Sequence, residues 1–313
     1  MEGIMNKLKT GRVIWWLVRA GLAASVGLIL SAEAAGNGSR PLVVDDVASW
    51  QRFADQLGEG YSAGKTPPLA DLRKQMESRR RAVVDLARPA RRGVEASEVY
   101  ERYSASVVAL GSVYKCNRCP HWHTGGTGTG WVIGRSGEIV SNYHVFAEGR
   151  NTNVVAIGAM TRDGRCFPVD EVLAADRERD VVVVRIGARD LVPLAVSVNE
   201  PVGRPVTVIG HPSGELFTFT QGHISRYAKK AVEAGGRPLE WMCVTADFAI
   251  GSSGGPVFND RGSVVGMVAR THTINADPKS AAPTTQMVVK MAIPAEAILK
   301  LVEPMKDSKR LKR

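Results

Sequence analysis

Residues 251–259 read GSSGGPVFN, two adjacent serines followed by two glycines and a proline. A serine hydroxyl is a weak nucleophile until a base takes its proton and a third group orients that base. The chain offers six histidines. His121 and His123 sit beside Cys116 and Cys119 in a glycine-rich stretch and suggest a separate site. His211 falls in a turn after a strand-like run (IGHPSG), and His223 and His272 lie inside strand-like runs. His144 closes GEIVSNYHVF, where a strand gives way to a turn or short helix that can hold an imidazole at a cleft edge. Asp180, in RERDVVVVRI, stands directly before a fully apolar strand. A carboxylate held there can accept a hydrogen bond from one imidazole nitrogen and fix its tautomer. With Ser253 the set is complete, in the order His, Asp, Ser. Its chemistry would be acyl transfer: Ser253 attacks a carbonyl, His144 carries the proton and Asp180 steadies the imidazolium. The backbone N–H groups of Gly251 and Ser253 would face the developing oxyanion. The frame G-x-S-x-G at 251–255 also fits the nucleophile elbow of α/β-hydrolases. That arrangement needs a helix straight after the serine, which Gly254-Gly255-Pro256 opposes.

The elements that must position these residues are short. From about Ser97 the chain alternates β-rich runs with turn signals such as Arg135-Ser136-Gly137 and Asp163-Gly164. Twelve such runs, from SASVVALGSVY to MVVKMAI, suggest a sandwich or barrel. IPAEAILKLV then predicts a C-terminal helix. Residues 35–96 read differently. Val47, Trp50, Phe53 and Leu57 recur at helical spacing. After Pro67-Pro68 so do Leu69, Leu72, Met76, Val83 and Leu86. This predicts two amphipathic helices, packed on the main domain or serving as an arm for self-association or a partner, with RPARRG as a linker. At the start, Lys7, Lys9 and Arg12 precede an uncharged apolar run at 20–30 and Ala32-Glu33-Ala34. That is the form of a signal peptide (1–34) for a periplasmic or secreted protein. An uncleaved membrane anchor is the alternative, and it would bury Arg19. The formal net charge of +10 gathers partly at the two ends, including a basic tail at 304–313. No interleaved basic and aromatic pattern accompanies it, so no nucleic acid partner is expected.

His144 in SNYHVF, Asp180 in RDVVVVRI and Ser253 in GSSGGPVFN together resemble the three signatures of the trypsin/chymotrypsin-like serine proteases. Spacing and the ending VVKMAIPAEAILKLV are more similar to the exported bacterial Deg/HtrA type. The resemblance covers about 97–303. It implies an all-β fold of two six-stranded antiparallel β-barrels (about 97–190 and 191–303), polypeptide substrates and serine endopeptidase activity, in protein quality control or processing. A non-catalytic or chaperone-like binding protein on the same scaffold is the alternative. Two departures stand out: G-S-S-G-G replaces the usual G-N-S-G-G or G-D-S-G-G, and PDZ domains are not expected after the helix.

The resemblance places Asp247 where trypsin-like enzymes carry the acid that recognises Lys or Arg. TADFAI also matches a Deg-type stretch in which the acid has no such role, and both readings stand. Val268, Ala269 and Arg270 would line the substrate pocket. Cys116, Cys119, His121 and His123 form a separate cluster in CNRCPHWHTGG. Its cysteines are expected to form disulfides, with each other or with Cys166 and Cys243. A structural zinc and free thiols are the alternatives. No other cofactor is expected.

Overall fold

A computed structural model describes residues 43–147, 153–231, 236–277 and 284–305. The expected export segment and the tail from residue 306 lie outside them. Among the described residues no helix is long and apolar enough to cross a membrane.

Helix α1 (Asp46–Ser62) is capped by Asp45, whose carboxylate accepts the Ala48 N–H at 3.0 Å. Helix α2 (Leu69–Ser78) begins after the Pro67-Pro68 break. Both lay their apolar faces on the main body, burying Phe53, Ala54 and Leu57 from α1 and Leu69, Leu72 and Met76 from α2. The second helix is shorter than its periodicity predicts. Val83 points outward between buried Ala82 and Val84, the two-residue period of strand β1 (Ala82–Val84). Its parallel partner, β14 (Val302–Pro304), comes from the far end of the chain, so no local pattern announces it. Helix α3 (Ala96–Tyr103) also went unforeseen.

Strands β2 (Val107–Lys115), β3 (Trp122–Val132), β4 (Glu138–Ser141), β5 (Ala156–Met160), β6 (Cys166–Asp176) and β7 (Val181–Ile186) close one barrel in the order β2-β3-β4-β7-β6-β5. A short helix, α4 (Tyr143–Phe146), follows β4. Strands β8 (Pro205–Gly210), β9 (Thr218–Lys230), β10 (Leu239–Val244), β11 (Pro256–Asn259), β12 (Val264–Asn275) and β13 (Thr285–Pro294) close the second barrel in the order β10-β13-β12-β11-β8-β9. Every one of the twelve expected runs is one of these strands, and both barrels are antiparallel. The C-terminal helix is only α5 (Ala295–Leu299) before the chain extends into β14.

Side-chain alternation divides the core. In β7, Val182 and Val184 fill barrel one, while Val181 and Val183 join the layer between the barrels. That layer also takes Trp131 and Ile133 from barrel one and Trp241, Phe258, Met267 and Ile293 from barrel two. Val208, Met242, Val257 and Val268 fill barrel two. Each fully buried side chain of this kind contributes about 1.5–3 kcal/mol of transfer free energy. The shared layer therefore fixes the barrels against each other, and with them the turns that face across the groove.

Candidate active site

His144 lies in α4, one turn after β4. Asp180 ends the β6–β7 turn in a left-handed conformation (φ +56°), which aspartate tolerates better than most residues. Its carboxylate grips His144 twice: Oδ2 accepts from Nδ1 at 2.8 Å and Oδ1 from the backbone N–H at 2.9 Å. Nδ1 is then the protonated nitrogen, and Nε2 is left to act as base. Two further contacts hold this corner. Asn142 Nδ2 donates to the Asp180 carbonyl at 3.0 Å, and Arg73 of α2 donates to the Phe146 and Ala147 carbonyls at 2.9 and 3.0 Å. The pair is not sealed off, since the His144 side chain is 49% exposed and that of Asp180 25%.

Ser253 occupies the turn between β10 and β11. Gly251 and Gly254 there have φ of +93° and +88°, a region L-residues with a Cβ rarely adopt. A Cβ on Gly251 would lie 2.4 Å from the His211 carbonyl, and one on Gly254 2.0 Å from the Thr129 carbonyl. Main-chain bonds secure the turn: Gly254 N–H to Val268 O, Val268 N–H to Gly255 O and Gly255 N–H to Ser252 O. Strand β3 reaches across from barrel one, where Thr129 N–H donates to Ser253 O at 2.8 Å and Thr129 Oγ1 to Gly251 O at 2.9 Å. Ser141, at the end of the strand leading to His144, donates through Oγ to Thr129 O at 2.7 Å. One residue of β3 thus links the two halves. Among the described residues, the N–H groups of Gly251 and Ser253 have no acceptor, and Ser253 Oγ has no hydrogen-bond partner. The first point suits an oxyanion site. The second leaves the Ser253 hydroxyl unbonded to His144, an arrangement also met in unliganded sites whose catalytic hydrogen bonds are long.

The predicted substrate residues divide. Ala269 and Arg270 line a cavity of about 1050 Å³ with His144, Asp180, Tyr143 and Trp241, and the Arg270 guanidinium lies over the Trp241 ring. Val268 belongs instead to the barrel-two core, 1% exposed, and touches the site only through its main chain. Its expected place in the pocket wall is corrected accordingly: strand alternation turns its side chain inward. Asp247 lines a separate 230 Å³ cavity with Ser252. Its carboxylate accepts from Lys290 Nζ at 2.6 Å, and that ammonium holds it below the usual carboxylate range. Thr129, Arg73 and Trp241 reach this region from other elements, and no local sequence pattern marks them. His211 is wholly buried, accepts the Phe217 N–H at Nδ1, and is pushed down to about 3 by burial, which suits a structural role.

At the β2–β3 turn, Cys116 and Cys119 have Sγ atoms 3.2 Å apart, and Cys119 Sγ lies 3.0 Å from His123 Nε2. The expected disulfides are not formed, and all four cysteines are free. His121 does not join the cluster. It lines a different cavity with Asp55, Glu59 and Lys115. Hydrogen bonding with Cys119 lowers the Cys116 thiol to about 7.

Residues 128–267 match the family model of the trypsin-like peptidase domain. That stretch, less than half of the chain, is similar to a trypsin-like peptidase domain, and the chain's relatives are of the Deg/HtrA kind. Over 148 residues it is 36% identical to the putative serine protease HhoA of Synechocystis sp., covering 45% of this chain and 36% of that protein. Over 191 residues it is 29% identical to a probable periplasmic serine endoprotease DegP-like of Hahella chejuensis, covering 60% of this chain and 37% of the relative. The chain thus spans little more than a third of the length of these relatives. Among solved structures, the HtrA-type protease AlgW with decapeptide superposes with a TM-score of 0.53 at 20% identity, covering 66% of each chain. This likeness concerns the fold.

Proposed function

We propose that this chain is an exported serine endopeptidase that cleaves polypeptides through an acyl-enzyme, with residues 97–303 as the protease domain and 35–96 as a helical extension. The observation that carries the reading is the double grip of Asp180 on His144, which sets the tautomer a general base needs. In the reaction, His144 Nε2 takes the Ser253 hydroxyl proton as Oγ attacks the scissile carbonyl. The Gly251 and Ser253 N–H groups receive the oxyanion, and Asp180 stabilises the imidazolium. His144 then delivers the proton to the leaving amine, and water cleaves the ester by the reverse route. Placement in the periplasm or outside the cell rests on the basic and apolar N-terminal pattern and on the printed name of the DegP-like relative. The test is covalent labelling with a fluorophosphonate, followed by peptide mapping. A single adduct on Ser253, absent from Ser253→Ala and His144→Ala, is the expected result. A folded protein that stays unlabelled across pH while still binding unfolded polypeptide would establish the binding-scaffold alternative instead.

A further inference from the structure

We propose that Cys116, Cys119 and His123 form a binding site for one zinc-class divalent ion, separate from the hydrolytic centre. The hairpin brings the three together. Cys116 follows the last residue of β2, Cys119 lies in the turn and His123 is the second residue of β3. Pairing of Tyr114 with His123 fixes the imidazole, whose ring lies against that of Tyr114 with centroids 5.4 Å apart. Trp122 anchors the turn from the other side. It is buried against α1, where Gly58 leaves room for its indole, and its carbonyl accepts from Gln51 Nε2.

The three donor atoms all lie within 4.8 Å of one another. Zn–S bonds of about 2.3 Å and Zn–N bonds of about 2.0–2.1 Å place tetrahedral donors roughly 3.4–3.8 Å apart. The observed 3.2 and 3.0 Å separations therefore need to open by roughly half an ångström each, which side-chain rotation in a turn can supply. Two thiolates and an imidazole are soft and borderline ligands, which select zinc over magnesium or calcium. His121 faces another cavity, and all three ligands are only partly buried. Solvent water is thus left as the fourth ligand. The bound ion would brace the end of β3, the strand whose Thr129 holds Gly251 and Ser253.

The test uses the full chain, reduced and freed of metal, titrated with Co²⁺. One equivalent per chain should give tetrahedral visible bands and a thiolate charge-transfer band, both removed by one equivalent of Zn²⁺. Cys116→Ser and Cys119→Ser should abolish the charge-transfer band at that stoichiometry. His123→Ala should weaken binding at least tenfold. His121→Ala should change neither stoichiometry nor spectrum. A natively folded wild-type chain that gives no tetrahedral spectrum overturns the proposal without recourse to any variant. So does loss of binding in His121→Ala, or a Cys116–Cys119 disulfide that forms in air in preference to zinc when one equivalent of zinc is present.

Discussion

On barrel one, His144 and Asp180 are joined through a carboxylate, and Asn142 and Arg73 tether the same corner with their side chains. On barrel two, the turn carrying Ser253 is held mostly by main-chain bonds, with one side-chain bond from Thr129 Oγ1 to the Gly251 carbonyl, and by two glycines at positive φ. On the proposed reading, the acid–base half is therefore set by charge and side-chain shape, and the nucleophile half mainly by backbone conformation. The two halves should fail differently. Barrel one should keep its geometry but lose its chemistry under an isosteric change. Barrel two should be indifferent to such a change and be undone by one methyl group.

The largest effect is expected from Asp180→Asn. Asparagine fits the same space, but its amide nitrogen cannot accept the Nδ1 proton, so the imidazole is driven to the wrong tautomer. A fall in kcat on the order of 10⁴-fold, the size seen for the same change in a comparable triad, should appear in peptide hydrolysis. The melting temperature should stay near that of the wild type. A fall under tenfold would mean that this corner does not supply the base. Gly251→Ala breaks the other half. The added Cβ would meet the His211 carbonyl at 2.4 Å and must sit at φ +93°, so the 251 amide turns away from the oxyanion. Loss of one such donor costs about 3–4 kcal/mol, or 10²–10³-fold in kcat, with KM much less affected. Unchanged fluorophosphonate labelling in this variant would remove Gly251 from the oxyanion site.

The same division explains what was legible. His144, Asp180 and Ser253 each sit inside a local run that ends or begins a strand, and each of the twelve barrel strands coincides with a local β-rich run. Contacts between distant elements carried no such mark. Thr129 looks like one more residue of a glycine-rich strand until the fold brings it to Gly251 and Ser253. Arg73 reads as the polar face of a helix until it reaches the end of α4. Val83 and Leu86 fall at helical spacing and lengthen the expected second helix, while their actual partners, β14 and Gly134, are remote in sequence. Cys116, Cys119 and His123 were visible as a group. The exclusion of His121 depends on where the hairpin points its side chains.

The smallest expected effect tests the one acidic residue on barrel two that sequence position ties to specificity. Asp180 and Asp247 are the same residue type, yet one aims its charge at an imidazole and the other already has a cation. Lys290 is 15% exposed, donates to the Asp247 carboxylate and the Phe248 carbonyl at 2.6 Å each, and lies over the Phe248 ring. A lysine or arginine of the substrate would have to displace that ammonium from a site where it has three interactions. Asp247 is 80% exposed, so the pair itself is worth no more than about 1 kcal/mol of stability. Asp247→Asn should therefore leave the preference for Lys or Arg over apolar residues at the cleavage site within about twofold, since 1.4 kcal/mol is needed for each tenfold of discrimination. Peptide-library cleavage by the wild type and the variant measures this directly. A selective loss of tenfold or more at Lys and Arg would show that substrate does displace Lys290, and that barrel two also works through side-chain charge.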